Sequence, residues 1–119
     1  MISSDGEPSL QELRTLSPDY SLFEDDIFTL HANVTEHKRI FMFLHLKVLP
    51  WTAGKIDHIN SIWDDICKRI AADGKKEVYT IIRSHVDGLR LAPHFNFYPI
   101  MEYFNNDKKL EFTIFKRDI

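Results

Sequence analysis

The chain has 119 residues, of which 44% are hydrophobic and 28% are charged, as expected for one packed globular domain rather than a disordered segment. Its net charge of −3 argues against a nucleic-acid partner held by a broad basic surface. A single cysteine, Cys67, excludes an internal disulfide, and the longest apolar run, at residues 40–46, is too short to cross a bilayer.

The first 23 residues contain many Ser, Asp, Glu and Pro residues and are interpreted as a polar N-terminal arm. One domain follows at residues 24–119. Within the arm, Leu10, Leu13 and Leu16 recur at every third position, which predicts a short helix over residues 9–16. A Ser-Pro-Asp turn ends this helix. The pattern favours an arm that packs loosely on the domain.

Two strands are predicted after the arm. Residues 28–34 alternate between apolar and polar side chains, which is typical of a half-buried strand. Residues 40–49 are apolar on both faces except for His45 and Lys47, which is typical of a strand at the centre of a covered sheet.

The clearest helix of the chain is predicted over residues 56–72. Apolar residues recur there at spacings of three and four, which places them in one stripe along the helix. Asp73 and Gly74 form a typical C-terminal stop. We expect the stripe to be buried against a sheet, in particular at Ile59, Ile62, Trp63, Ile66 and Ile70.

In the last third of the chain, the sequence predicts a strand over residues 78–83. It also predicts a short helix of barely two turns over residues 85–94, followed by a closing hairpin. The hairpin strands, residues 98–104 and 110–115, flank the turn-forming sequence Asn-Asn-Asp. The predicted fold class is therefore α+β, a mixed sheet with one long amphipathic helix packed on it and a C-terminal hairpin.

No complete catalytic motif is present in the sequence. His31 and His45, on adjacent predicted strands, and Ser84 are weak catalytic candidates, and Ser84 has no nucleophile-elbow context. The histidines lack a recognised ligand spacing and an accompanying acidic or cysteine cluster, so no metal site is predicted. Cys67 lies in the apolar stripe, where we expect a small buried hydrophobe rather than a nucleophile.

The segment between the second strand and the long helix allows two interpretations. Backbone N–H groups at such a junction converge and favour an anion, and Gly54 would let a phosphate approach. The alternative is a tight turn that binds nothing. The candidate cofactor-binding residues at this junction are Val48, Thr52, Ala53, Gly54 and Lys55.

The order of elements resembles the GNAT acetyltransferase fold, in which amides of a glycine-containing loop hold the pyrophosphate of acetyl-CoA at the start of a long helix. The resemblance covers residues 27–119 and is one of layout more than of motif. It identifies the central strand, the loop, the long helix and the next strand with residues 45–50, 51–55, 56–72 and 78–83. Asn96 and Phe97 stand where the family has a Gly-Phe pair.

Two departures from the family pattern bear on activity. The loop keeps one glycine, Gly54, and lacks the Arg or Gln that opens the family motif. The position of the usual tyrosine general acid falls on Ala92, which cannot donate a proton to a leaving thiolate. Residues 88–97 and 110–116 also resemble the C-terminal end of very small GNAT-like proteins of short-tailed bacteriophages.

Three functions follow from these patterns. The first is a degenerate GNAT-like scaffold, a non-catalytic or impaired acetyltransferase with no cofactor or weakly bound acetyl-CoA, that acts by binding a host or virion protein. The second is an acetyl-CoA-dependent N-acetyltransferase in which water protonates the thiolate. The third is an unrelated α+β inhibitor or immunity-type binding protein. We expect neither nucleic acid nor membrane as a partner. The start of the chain lacks the features of a signal peptide, which predicts a cytoplasmic location, with virion association also open for a viral protein.

Overall fold

The computed structural model of the chain describes Leu13, Leu16 and residues 19–35, 38–48, 52–83 and 86–119. Within these residues the chain forms a mixed sheet of six strands, with one long helix packed on a face of the sheet. The predicted α+β class, the long helix and the closing hairpin are confirmed.

The strands are β1 (Tyr20–Glu24), β2 (Phe28–Val34), β3 (Ile40–Leu46), β4 (Glu77–Ile82), β5 (Tyr98–Phe104) and β6 (Leu110–Asp118). The helices are α1 (Ala53–Ala72), α2 (Val86–Leu91) and a 3-10 helix (Ala92–Phe95). The strands are arranged in the order β1-β2-β3-β4-β6-β5. Neighbours are antiparallel except β3 and β4, which run parallel.

The parallel pair organises the sheet. Phe41 of β3 lies opposite Tyr79 of β4, and the Thr80 hydroxyl donates a hydrogen bond to the Met42 carbonyl at 2.8 Å. Parallel neighbours need a crossover connection, which α1 supplies. As a result, α1 begins beyond the carboxyl end of β3 and packs on one face of the sheet.

The apolar stripe of α1 forms the centre of the core on that face. Ile59, Trp63 and Ile66 are buried as predicted, and Cys67 is buried beside them. Ile62 and Ile70 are only half-buried, so the expectation of full burial is wrong for these two. Ile62 lies at the margin of the stripe, and Ile70 lies in the last turn of the helix.

The opposite face of the sheet has a second core. It is formed by aromatic and aliphatic side chains of β3, β4 and β6 together with Leu13 and Leu16, which are 2% and 7% exposed. Leu13 is helical. Leu10 and most of the helix predicted over residues 9–16 lie outside the described residues.

The edge strand β1 was missed by the sequence patterns, which assigned residues 1–23 to an arm. Its pairing with β2 changes register between Ser21 and Phe23, and such a bulge destroys the two-residue alternation that identifies a strand. β1 therefore crosses the boundary predicted between residues 23 and 24.

The ends of two further strands differ from the prediction. β3 ends at Leu46 rather than at Leu49, which lies outside the described residues. The Lys47 N–H bonds to the Ile27 carbonyl at 2.7 Å as the chain leaves the strand. β6 continues to Asp118, because its pairing with β4 extends that far.

Burial of the apolar stripe of α1 predicts a loss of stability when one of its side chains is shortened. Replacing Ile66 with alanine should lower the free energy of unfolding by about 2–5 kcal/mol, because it leaves a cavity in a packed core. Urea denaturation at constant m-value measures the loss. Ile62→Ala, at the half-buried margin, is the matched control and should cost clearly less. Equal small losses would show that the stripe is not a core face.

Candidate functional site

The predicted cofactor-binding segment forms the first turn of α1 rather than a loop. Thr52 is the N-cap, and its hydroxyl accepts the N–H of Lys55 at 3.3 Å. The Ile56 N–H bonds to the Thr52 carbonyl at 3.0 Å. Because this cap satisfies an N-terminal donor, the helix starts at Ala53, ahead of the apolar stripe.

The surroundings of this first turn are open. Ala53 and Gly54 are exposed, and no atom lies within 4 Å of the position where Gly54 would carry a Cβ. The Lys55 ammonium donates to the Val48 carbonyl at 3.2 Å, and Val48 itself is 43% exposed. The first turn contains no acidic residue that would offset the positive end of the helix dipole.

An aspartate–histidine pair lies next to this junction and was not predicted. Asp25, in the turn between β1 and β2, accepts the N–H groups of Ile27 and Phe28 on one oxygen, at 2.8 and 3.0 Å. Its other oxygen lies 2.7 Å from Nε2 of His58 on α1. The Phe28 ring packs edge-on against the imidazole. The two residues are 33 positions apart, so no local pattern signals the pair.

The electrostatics of this pair favour a charged carboxylate. Partial burial raises the pKa of Asp25, but the hydrogen bonds from His58, Phe28 and Ile27 outweigh it, so the pKa lies below its ordinary value. Such a carboxylate orients an imidazole for proton transfer when a reacting group is within reach. In the described part of the chain no hydroxyl or thiol hydrogen-bonds to His58. The pair therefore acts as a tie between the β1–β2 turn and α1.

Two of the three predicted catalytic candidates, His31 and His45, lie diagonally across neighbouring strands. His31 and His45 share the sheet face opposite α1, but His31 lies opposite Phe43 and His45 lies opposite Thr29, so they are offset in register. Ser84 lies outside the described residues. Within the described ranges no group of three or more His, Cys, Asp or Glu side chains is placed to hold a metal ion.

Cys67 is buried, as the sequence predicted, and 3% of it is exposed. Burial raises the pKa of its thiol, and the nearby Arg117 guanidinium offsets this only in part. Arg117 is itself engaged, by the carboxylate of Asp64 and by the carbonyl of Phe95 at 3.1 Å. A thiol in these surroundings is a poor nucleophile.

A polar network links three strands on the face opposite α1. The Tyr79 hydroxyl donates to Glu77 at 2.6 Å and accepts a hydrogen bond from Arg39, and Lys116 pairs with Glu77 at 3.0 Å. Burial and the Glu77 hydrogen bond raise the pKa of Tyr79 to about 12. Tyr79 therefore stays protonated at neutral pH and serves as a structural donor.

Beside this network lies a hollow, here called the trough, which crosses the sheet. It is shallow and encloses a volume of only about 30 Å³. Its lining comes from four strands, through Phe41 of β3, Tyr79 of β4, Ile114 of β6, and Ile100 and Met101 of β5, together with Leu13. The trough is thus mostly apolar and opens towards the sheet edge.

At that edge, β5 exposes three large apolar side chains, here called the β5 patch. Tyr98, Ile100 and Phe104 are 41%, 45% and 59% exposed. Ile100 belongs to both the patch and the trough, so the two meet at this residue. Exposed apolar surface of this kind at a strand edge is typical of an interaction site.

Comparison with protein-family models, curated proteins and solved structures finds nothing that matches this chain. Among the helices in the described ranges, none has the length and apolarity needed to span a membrane.

The Asp25–His58 pair predicts an acid-dependent loss of stability. Because folding lowers the pKa of Asp25, its stabilisation is present above the ordinary value of 3.8 and is lost as pH falls through the lower folded-state value. Asp25→Asn should cost about 1 kcal/mol at about pH 5 and markedly less at about pH 2, measured by urea denaturation.

The control for this measurement is Asp26→Asn, which changes a neighbouring exposed carboxylate in the same turn. It should have little effect at either pH. A cost for Asp25→Asn that does not change with pH would show that the carboxylate charge is not what stabilises the turn.

Proposed function

We propose that this chain is a non-catalytic, GNAT-like protein-binding domain of the type seen in short-tailed bacteriophages, and that it binds a host or virion protein. The observation that carries the proposal is the exposed β5 patch, which meets the trough at Ile100. A partner that covers this surface removes large apolar side chains from water, and each is worth about 1.5–3 kcal/mol when fully buried.

The shape of this surface is typical of an interface. Protein interfaces have a buried apolar centre with aromatic residues, and their binding energy is concentrated in a few side chains that fill pockets. Phe104 and Tyr98 supply the aromatic side chains, and the trough adds a shallow, mostly apolar hollow beside Ile100.

Two features support the GNAT-like part of the proposal. The sheet contains a parallel central pair of strands, β3 and β4, and the long helix connects them. The family resemblance implies this arrangement. Asn96, which stands where the family has glycine, has φ of 65°, a left-handed conformation that glycine favours and asparagine tolerates. Phe97, which follows it, is buried against Trp63.

We propose a non-catalytic domain because of the residue at position 92, which is Ala92. This residue occupies the position of the family's general acid, and it is 6% exposed in the 3-10 helix. An alanine side chain cannot transfer a proton, so this position supplies no general acid.

The test of protein binding is a capture experiment with patch variants. Immobilised protein is exposed to a lysate from the source of the sequence, and bound proteins are identified by mass spectrometry. Changing Ile100 and Phe104 to serine should abolish capture of the partner, and calorimetry with the purified partner should show at least a tenfold loss of affinity.

Val34→Ser is the matched control, because Val34 is 38% exposed on β2, far from the patch in the strand order. It should capture as well as the parent. If the double variant also captures the same proteins as the parent, the β5 patch is not the interface and the proposal fails.

A second candidate function is acetyl-CoA-dependent N-acetyltransfer, and the first turn of α1 favours it. Ala53 and Gly54 place small side chains around N-terminal N–H groups, beside the carboxyl end of β3, where an anion is stabilised. These residues and Lys55 would hold the pyrophosphate, which is the position the family resemblance implies.

Calorimetry with acetyl-CoA separates the two functions. On the proposed function, the parent and Gly54→Pro both give no binding heat. Proline is tolerated in the first turn of a helix, so the variant removes an N–H group without breaking α1. Micromolar affinity in the parent that is lost in the variant would instead make the transferase the better assignment.

A further inference from the structure

We propose that the partner binds by adding an antiparallel strand to the outer edge of β5, with a basic residue opposite Glu102 and a large apolar residue opposite Phe104. This inference rests on the proposed function, because it names the part of the partner that meets the β5 patch. The occupant of the edge is thus an extended segment of another protein.

The position of β5 in the sheet determines the conformation of this occupant. β5 is the last strand in the order β1-β2-β3-β4-β6-β5, and in the described part of the chain it pairs only with β6. The outer edge of such a strand presents a row of main-chain N–H and C=O groups. An extended segment satisfies both kinds of group in register, which is how strand addition recognises a peptide.

The hairpin turn determines which residues of β5 face outward. The Asn105 N–H bonds to the Lys109 carbonyl at 2.8 Å, so the main chain of Asn105 faces β6. Inward and outward main-chain groups alternate along an antiparallel strand, and the bulge in this stretch places its extra residue on β6 rather than on β5. Phe104 and Glu102 consequently direct their N–H and C=O groups outward, whereas Tyr103 directs its groups towards β6.

Proline and a second bulge limit the length of the added strand. Pro99 has no N–H group to donate, and the register of β5 with β6 shifts between Pro99 and Met101. Both features interrupt pairing at the edge of a sheet. The ladder with the partner is therefore confined to Glu102 and Phe104, and the exposed side chains of the β5 patch add contacts beyond it.

The side chains of the two outward-facing residues specify the sequence of the occupant. Phe104 is 59% exposed, and Glu102 is exposed with no described residue in an ion pair with its carboxylate. Side chains directly opposite each other in an antiparallel pair favour opposite charges or apolar contact. The complementary strand has Lys or Arg opposite Glu102 and a large apolar residue two positions away. The residue between them lies on the side of Tyr103, which lines the trough, and is apolar as well.

The probe for this inference is a fluorescent heptapeptide, Ser-Phe-Val-Lys-Val-Phe-Ser, titrated against the full-length chain by fluorescence anisotropy. Two matched peptides are the controls. In the first, Glu replaces the central Lys, and binding should weaken at least threefold because like charges then face each other. In the second, the central Lys is N-methylated, which removes the N–H that bonds to the Glu102 carbonyl. It should bind at least tenfold more weakly than the probe.

A charge reversal on the protein tests the register. Glu102→Lys should bind the peptide with the central Glu at least threefold more tightly than the peptide with the central Lys. Asp107→Lys, which changes an exposed carboxylate in the turn of the same hairpin, is the control and should keep the preference of the parent. Circular dichroism checks that both variants are folded. The two control peptides test the unmodified protein, so the decision does not depend on a variant.

Equal binding of the N-methylated peptide, or no binding of the probe, overturns strand addition. An unchanged preference in a folded Glu102→Lys variant overturns the assigned register. A dimer of the parent that the probe dissociates would show that a second copy occupies the edge, which overturns the claim about the partner.

The capture experiment remains a separate test of the proposed function. If the Ile100 and Phe104 double variant loses its captured protein and the probe does not bind, the proposed function stands and this inference falls. If that variant captures normally, the proposed function fails whatever the peptides do.

Discussion

The parallel pairing of β3 with β4 is the constraint on which the rest of this structure depends. Two parallel neighbours cannot be joined by a tight turn, so the chain must cross over one face of the sheet. The crossover is α1, whose apolar stripe then covers that face. The same pairing places the start of α1 beyond the end of β3, next to the β1–β2 turn that Asp25 and His58 tie to the helix.

The two faces of the sheet are closed by very different means. On one face, α1 and the 3-10 helix enclose Trp63, which packs against Phe95 and Phe97 with ring centroids 5.2 Å from each. Asn60 and Arg117 hold the carbonyls at the end of the 3-10 helix. On the other face, the described cover is two leucines held by one exposed arginine.

Several buried and half-buried polar groups of the described residues join one structural element to another. Tyr79 keeps its proton because burial and Glu77 raise its pKa, and Cys67 keeps its proton because burial raises its pKa. Asp25 is charged but is satisfied by two main-chain N–H groups and one imidazole.

The sequence by itself determined the elements with strong local periodicity. β2, the body of α1 and the closing hairpin follow from alternation, a three-to-four spacing and turn residues, and each of these signals lies within one short segment. The helix α1 was predicted to start at residue 56 rather than at Ala53, because its first turn does not contain the apolar stripe. The strand β1 was missed because a bulge interrupts its alternation of apolar and polar residues.

Only the tertiary structure decided what lies next to what. The Asp25–His58 pair joins a turn to a helix. The trough forms only because four strands are arranged in the order β3-β4-β6-β5. Leu13 and Leu16 pack on the sheet face opposite α1. The offset between His31 and His45 likewise depends on register. These features arise from contacts between residues distant in the chain, and strand order and register are not encoded in any local pattern.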